Sequence, residues 1–416
     1  MWPRRSAIGG KRLATKLADV SRPAHPAPMN EHSPVTVRPN DMTEVVTPAL
    51  ILDRGKLQAN ADRMLQRVAD LEVRLRPHVK TVKSIDVLRI LSGGRDVPIT
   101  VSTMAEARYF FDNSIRDILY AVGIAPSKLP QIAELIRAGC SLRIILDSVE
   151  AAEFVQACGT AEGLTIEALI EVDTDGCRAG VTPDDHLLIE IASRLSSGHG
   201  AKLAGVMTHA GGSYSARTRQ DFEAIAERER AGAVGAAEKL RAAGFPVDIV
   251  SVGSTPTVHY ARNLEGVTEA RVGVYAFGDL VQAELGTCTI GDIAISVLAT
   301  VIGHNRGHGR VLIDAGFLAL SRDRGTADFA VDWGYGAVCD AKTGQLIEGV
   351  RVESTNQEHG IITATSGELD WSLFPIGGRV GVLPNHACAT AAAYERYFVT
   401  DGRQQIVDVW ERVNGW

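Results

Sequence analysis

The amino-acid sequence predicts an α/β chain in which a (β/α)8 barrel is followed by a smaller β-rich C-terminal domain. Three observations carry this expectation. From Thr47 onward, short apolar runs alternate with helical patterns, as in parallel βαβ units. The strand-like runs that could line a barrel number eight before the rhythm changes near Gly286, the count of a (β/α)8 barrel. Beyond that point strand-like runs continue without long helices between them. A chain of 416 residues has room for a barrel of roughly 250 residues and a second, smaller domain. The expected boundaries are 45–285 for the barrel and 286–416 for the β-rich domain, with 1–44 as an extension.

Residues 48–53, Pro-Ala-Leu-Ile-Leu-Asp, read as a strand. It precedes the barrel and is expected to join the β-rich domain. A helix follows, with Leu57, Ala61, Met64, Leu65 and Val68 on one face. Barrel strands are expected at 73–78, 99–103, 117–122, 142–147, 166–173, 203–209, 247–252 and 267–275. Helices separate most of them, for example 105–112, 129–138, 185–195 and 218–243. A doubly wound open sheet is the alternative. The barrel is preferred because no GxGxxG or P-loop follows the first strand, and because unusual residues sit at many strand ends rather than at one crevice. Strands of the second domain are expected at 293–303, 310–314, 346–353, 360–365, 379–383 and 405–409.

Composition narrows the function. Apolar residues make up 45% of the chain and charged residues 22%, which supports a large core. A net charge of -7 leaves no basic footprint for nucleic acid. No apolar run approaches a membrane span. Cys140, Cys158, Cys177, Cys288, Cys339 and Cys388 form no CxxC pair and no disulfide framework, so a reducing cytoplasm is expected. Residues 1–30 carry Arg4, Arg5, Lys11, Arg12, Lys16 and Arg22 against Asp19 and no apolar h-region. They read as a disordered tail or an upstream start, with Met29 or Met42 as the true one; an Arg-rich transit peptide is the alternative.

Active sites of barrels lie at the C-terminal ends of the strands, so the polar residues there are the candidates. Lys80, in Pro77-His78-Val79-Lys80, can act as a nucleophile toward a carbonyl if partly desolvated. Lys83 is its rival, read as a plain solvated residue. Gly253, Ser254 and Thr255 follow the seventh strand, where free N–H groups and hydroxyls suit a phosphate. Tyr275, after the eighth, could donate its hydroxyl to the same phosphate. His209 ends the sixth strand, where its ring could stack on a flat cofactor or serve as a structural histidine; Gly211-Gly212-Ser213-Tyr214 follows. Arg178 could face a cofactor ring nitrogen or pair with Asp173 or Asp175. Near the C-terminus, His386-Ala387-Cys388 on a strand would put both side chains on one face. Imidazole and thiolate favour zinc, and two ligands leave positions open for water or substrate. A buried cysteine beside an incidental histidine is the bland alternative.

Taken in order, Pro77-His78-Val79-Lys80, Glu171-Val-Asp-x-Asp-Gly-x-Arg178, Gly253-Ser254-Thr255-Pro256-Thr257, Gln357-Glu358-His359-Gly360 and Pro384-Asn385-His386-Ala387-Cys388 resemble the D-serine dehydratase and D-threonine aldolase family. The resemblance covers about residues 45–416. It implies an alanine-racemase-like fold and a homodimer. It implies pyridoxal 5'-phosphate held covalently on Lys80, with His209 against its ring and Arg178 near its nitrogen. Gly253, Ser254, Thr255, Tyr214 and Tyr275 would serve its phosphate. His386 and Cys388 would bind a divalent metal beside the substrate. Aldolase-like members often carry His-x-Asp, whereas Cys388 points to zinc and to the dehydratase branch. The expected substrate is a small 3-hydroxy-D-amino acid such as D-serine or 3-hydroxy-D-aspartate, converted to a 2-oxo acid and ammonia. Retro-aldol cleavage to glycine and an aldehyde is the closest alternative. A racemase and a non-catalytic pyridoxal phosphate carrier are further ones.

Overall fold

A computed structural model describes residues 39–402 and 404–416. Most of the expected extension therefore lies outside the described residues. The described chain contains two sheets of different character. Eight strands run parallel in the order β2-β9-β8-β7-β6-β5-β4-β3. They are β2 (Arg74–Leu75), β3 (Ile99–Val101), β4 (Asp117–Gly123), β5 (Ser141–Leu146), β6 (Ile166–Val172), β7 (Ala201–Thr208), β8 (Ile249–Val252) and β9 (Glu269–Ala270). The two ends of the series meet just beyond β2. His78 bridges Thr100 in parallel, and the Thr100 N–H donates to the Pro77 carbonyl at 2.9 Å. The eight expected strands are all present, and the sheet is of the barrel type.

The sequence overestimates two of them. The expected runs 73–78 and 267–275 shrink to two residues each. Backbone hydrogen bonds nevertheless continue past the two-residue strands, from Arg76 N to the Ala270 carbonyl at 2.9 Å and from His78 N to the Val272 carbonyl at 2.7 Å. Arg76 is 2% exposed and pairs with Glu269 and Asp117 at 2.8 Å each. The Ser251 hydroxyl donates to Glu269 at 2.7 Å, and Arg271 donates to Ser251 and to the Thr208 carbonyl at 2.7 and 2.5 Å. A polar chain thus fills part of an interior that branched apolar side chains usually fill. Every member has a partner, which keeps such burial tolerable.

The second sheet has nine strands in the order β11-β14-β13-β12-β15-β10-β1-β16-β17, with β11 also paired to β10. They are β1 (Ala49–Asp53), β10 (Ile295–Asn305), β11 (Arg310–Ile313), β12 (Ala337–Asp340), β13 (Leu346–Thr355), β14 (Gly360–Ala364), β15 (Arg379–Leu383), β16 (Arg396–Thr400) and β17 (Ile406–Glu411). β1 lies between β10 and β16, antiparallel to the first and parallel to the second. The first strand in the chain therefore belongs to the sheet of the last ones. β12 and β16 have no counterpart among the expected strands.

The Arg54–Asp70 helix starts where Asp53 leaves β1, and the Asp53 carboxylate caps it by accepting from Lys56 N at 3.0 Å. Its buried face holds Leu57, Ala61, Met64 and Val68, as the spacing predicts, and also Asn60. The Asn60 amide donates to the Ala276 and Asp292 carbonyls at 3.0 Å each. That buried polar residue ties the helix to the junction between the two sheets.

Candidate active site

The C-terminal ends of the barrel strands open into a cavity of about 490 Å³. Lys80, Arg178, His209, Tyr214, Gly253, Ser254, Thr255, His386 and Cys388 all line it. Residues read from the sequence as far apart as 80 and 388 thus share one space. Tyr275 lines an adjoining cavity of about 460 Å³ instead, with Thr255 common to both.

Each wall has a local origin. Lys80 follows the His78 bridge, and its side chain is exposed to the cavity. Next to it, the buried Thr81 hydroxyl lies 3.1 Å from Cys388 Sγ, joining the lysine arm to the His386–Cys388 segment. Lys83 departs from its reading as a solvated residue. Its side chain is 13% exposed and pairs with Glu106 at 3.0 Å. A left-handed backbone at Lys83 (φ 48°) turns it away from the line of Lys80.

On the far side of the barrel, the His209 ring meets the Gly253 carbonyl through Nδ1 at 2.9 Å. A carbonyl can only accept, so Nδ1 carries the proton. Burial pushes His209 down to about 4, against the help of the Gly253 carbonyl, with Lys80 and Arg178 adding to the depression. The ring is neutral at pH 7. Buried Glu229 sets this region. Its Oε1 accepts from Ala210 N at 2.9 Å and Gly253 N at 3.1 Å, so one carboxylate holds both the His209 turn and the glycine turn. Gly253 has φ 133°, and a Cβ there would lie 2.5 Å from the Arg271 carbonyl oxygen. Ser254 caps the short Thr255–Tyr260 helix in a reciprocal box with Thr257.

Arg178 takes neither partner expected of its bland reading. It approaches Glu171 at 3.4 Å and stays 60% exposed. Arg271 escaped the sequence reading. It is 4% exposed, lines the cavity, and burial pushes it down to about 10, which leaves it charged at neutral pH.

The third wall comes from the second sheet. His386-x-Cys388 does not lie on a strand, which corrects the expectation of period two. His386 is the extended N-cap and Cys388 is in the first turn of the Ala387–Ala391 helix. The alanine-rich segment favours a helix, and Asp279 secures its start by accepting from Ala387 N at 2.9 Å. Both side chains still face the cavity. His386 Nδ1 meets Asp323 Oδ2 at 2.7 Å. Burial opposes its charge, but Asp323 and Cys388 hold the proton and raise His386 to about 11. Burial would raise the Cys388 thiol, yet the hydrogen bond and charge of His386, with Lys80, bring it below its ordinary range. Gln357-Glu358-His359-Gly360 lies away from this cavity, in the turn that begins β14. There the Gln357 carbonyl accepts from Leu318 N at 3.3 Å.

The residues fit the two groups that the sequence reading names. The Thr255 hydroxyl and the Tyr275 hydroxyl are buried without a protein partner, and a phosphate would satisfy them. With Nδ1 committed to Asp323, His386 keeps Nε2 for a metal, beside a thiolate. Among the described residues no cluster of three or more His, Cys, Asp or Glu is placed to hold a metal. The pair would therefore share its ion with water or substrate.

A parallel barrel with a lysine beyond its first strand, followed by a separate β domain, has the architecture of the alanine-racemase-like enzymes. Residues 52–281 match the family described as "Alanine racemase, N-terminal domain", and residues 294–400 the "Putative serine dehydratase domain". The chain belongs to this family. It is 50% identical over 376 residues to the D-threo-3-hydroxyaspartate dehydratase of Delftia sp. (strain HT23), covering 89% of this chain and 98% of that one. The D-serine dehydratase of Dictyostelium discoideum is 30% identical over 413 residues, 93% of this chain and 100% of that one. A solved structure of a cysteine-to-alanine mutant of D-threo-3-hydroxyaspartate dehydratase, in the metal-free form, superposes with a TM-score of 0.88. It shares 48% identity over 91% of this chain and 100% of that chain. No described helix is long and apolar enough to cross a membrane.

Proposed function

We propose that this chain is a pyridoxal 5'-phosphate- and metal-dependent lyase that dehydrates a 3-hydroxy-D-amino acid to a 2-oxo acid and ammonia. The observation that carries the reading is that Lys80 and the His386–Cys388 pair line one cavity, with Thr81, the residue after Lys80, 3.1 Å from Cys388 Sγ. An amine that can take a proton from Cα thus shares a cavity with a pair that could hold an ion against the β-hydroxyl. The 50% identical dehydratase supports the reading.

When bound, pyridoxal phosphate supplies an electron sink for charge developing at Cα. Lys80 would hold it, and its Nζ is the base placed to take the proton from Cα. Gly253, Ser254, Thr255 and Tyr275 serve the phosphate, with Tyr214 beside them. The neutral His209 ring packs against the cofactor. Arg178, exposed at the cavity, would serve the ring nitrogen, and buried Arg271 would supply fixed positive charge to the same cavity. His386 and Cys388 hold a divalent metal, zinc by ligand type, which supplies Lewis acidity for the departing hydroxyl. D-Serine would yield pyruvate, and 3-hydroxy-D-aspartate oxaloacetate. The protein works as a homodimer in the cytoplasm, where its six unpaired cysteines are at home.

Product analysis on protein supplied with pyridoxal phosphate and zinc tests this against D-serine, D-threonine and 3-hydroxy-D-aspartate, with and without a chelator. Ammonia and a 2-oxo acid, lost on chelation and restored by zinc, are expected. Glycine and an aldehyde would replace the dehydratase with retro-aldol cleavage.

A further inference from the structure

We propose that Asp323 is a positioning residue for the metal pair, fixing the His386 ring so that Nε2 is the nitrogen presented to the ion. The proposal rests on the reading that His386 and Cys388 take a divalent metal, and it adds a residue that neither the sequence motifs nor the comparisons assign.

The local chain is arranged around this contact. The Asp323 carboxylate lies 2.7 Å from His386 Nδ1 and lines the same cavity. Its neighbours in sequence are both arginines, and both turn elsewhere. Arg322 stacks 4.0 Å over the Phe317 ring, and Arg324 pairs with Asp332 at 2.5 Å. Ser321 makes this possible by taking a left-handed backbone, φ 73°, which a residue with a Cβ adopts at a cost. Its hydroxyl then accepts from Asp323 N at 3.2 Å and fixes the turn. The chain thus spends local strain to aim one carboxylate, unclaimed by the arginines on either side, at one imidazole nitrogen.

The physical consequence follows from the chemistry of ligand histidines. A free imidazole rotates about its Cβ–Cγ bond and can offer either nitrogen. A carboxylate on Nδ1–H fixes the tautomer and the ring plane and makes Nε2 a better donor. Asp279 does for the backbone what Asp323 does for the ring, by holding Ala387 N between the two ligands. With two protein ligands, pre-orientation of each weighs heavily on affinity, since no third side chain corrects a misplaced ring.

The test is zinc affinity, measured by competition with a chromophoric chelator on full-length, pyridoxal-phosphate-loaded protein. Asp323→Ala is expected to weaken zinc about 10–100-fold. Asp323→Asn should fall less, because its Oδ1 still accepts from Nδ1–H, and His386→Ala should remove high-affinity binding. With cobalt at saturation, Asp323→Ala should keep the thiolate-to-metal absorbance, since Cys388 remains in place. The absorbance of the lysine-bound cofactor and the melting temperature verify folding, and Asp323→Asn carries the test if Asp323→Ala is unstable. Wild-type affinity in Asp323→Ala would overturn the proposal. So would affinity as low as in His386→Ala with no gain in Asp323→Asn, which would make Asp323 a ligand. Zinc binding by the wild type that His386→Ala leaves unchanged would overturn the metal reading itself, and the proposal with it.

Discussion

Lys80 and His209 illustrate what single residues decide in this protein. Lys80→Ala should abolish turnover and the Schiff-base absorbance of the added cofactor together; turnover retained in that variant would remove Lys80 from its role. His209 makes a prediction about stability. Its folded-state pKa lies near 4 against an ordinary 6.5. As pH falls from 6.5 toward 4, the unfolded chain gains a proton that the folded chain refuses, so the folded state loses stability over that window. The loss attributable to His209 is at most about 3 kcal/mol, because one pKa unit corresponds to about 1.4 kcal/mol and the ring is only partly screened from water. Asp279 works in the opposite direction. Burial raises it to about 6 from 3.8, so its contribution is lost as pH rises through the interval between those values. The two effects offset each other in the intact protein. Thermal unfolding from pH 7 to 4.5 should therefore show a flatter acid limb in His209→Gln than in wild type and a steeper one in Asp279→Asn. Parallel curves for all three would mean that neither group is held as the structure places it.

Among the elements, the turn from β8 into the Thr255–Tyr260 helix bears the most constraint for its length. Gly253→Ala must place a Cβ 2.5 Å from the Arg271 carbonyl at φ 133°. A loss of about 2–3 kcal/mol is expected, seen as a lower urea midpoint with unchanged slope. Ser254→Ala forfeits the capping box and should cost about 1 kcal/mol, with weaker cofactor binding in an equilibrium titration. Most of this turn was legible in the sequence, because small residues after the seventh strand of a barrel have few other uses. Glu229 was not. It sits in the middle of the Arg219–Ala242 helix, where one more glutamate looks like surface, and only packing reveals its two backbone partners. The His386-x-Cys388 segment was legible as a candidate pair facing one site and illegible as a helix. Strand and helix starts can both bring i and i+2 to one cavity when a tertiary carboxylate anchors the first turn.

At the scale of the whole molecule, β1 binds the two ends of the chain. It is hydrogen-bonded to β10 on one side and β16 on the other, and the Arg54–Asp70 helix of the barrel grows directly out of it. A fragment of residues 286–416 would expose the facing edges of β10 and β16, and open strand edges aggregate. That fragment should be insoluble or associated when expressed alone. Supplying residues 45–70 in trans should raise its solubility, as read by size-exclusion chromatography. A soluble, monomeric fragment with native-like circular dichroism would show that β1 is dispensable to the second sheet. The same column should give the intact protein twice its chain mass if the homodimer holds.

The alternation of elements, the change of rhythm near Gly286, and the candidacy of Lys80, Gly253, His386 and Cys388 could all be read from the chain before any fold was known. Those features are written in local periodicity and in residue types with few alternative uses. It took the packed fold to show that Lys83 belongs to Glu106, that Arg178 meets Glu171, and that Tyr275 faces a neighbouring cavity. It alone brought Arg271, Asp279 and Asp323 to the site. For Lys83, Arg271, Asp279 and Asp323 the cause is the same. An ionisable or hydroxyl side chain takes its role from the partner that satisfies it when buried, and that partner is set by contacts between elements distant in the chain.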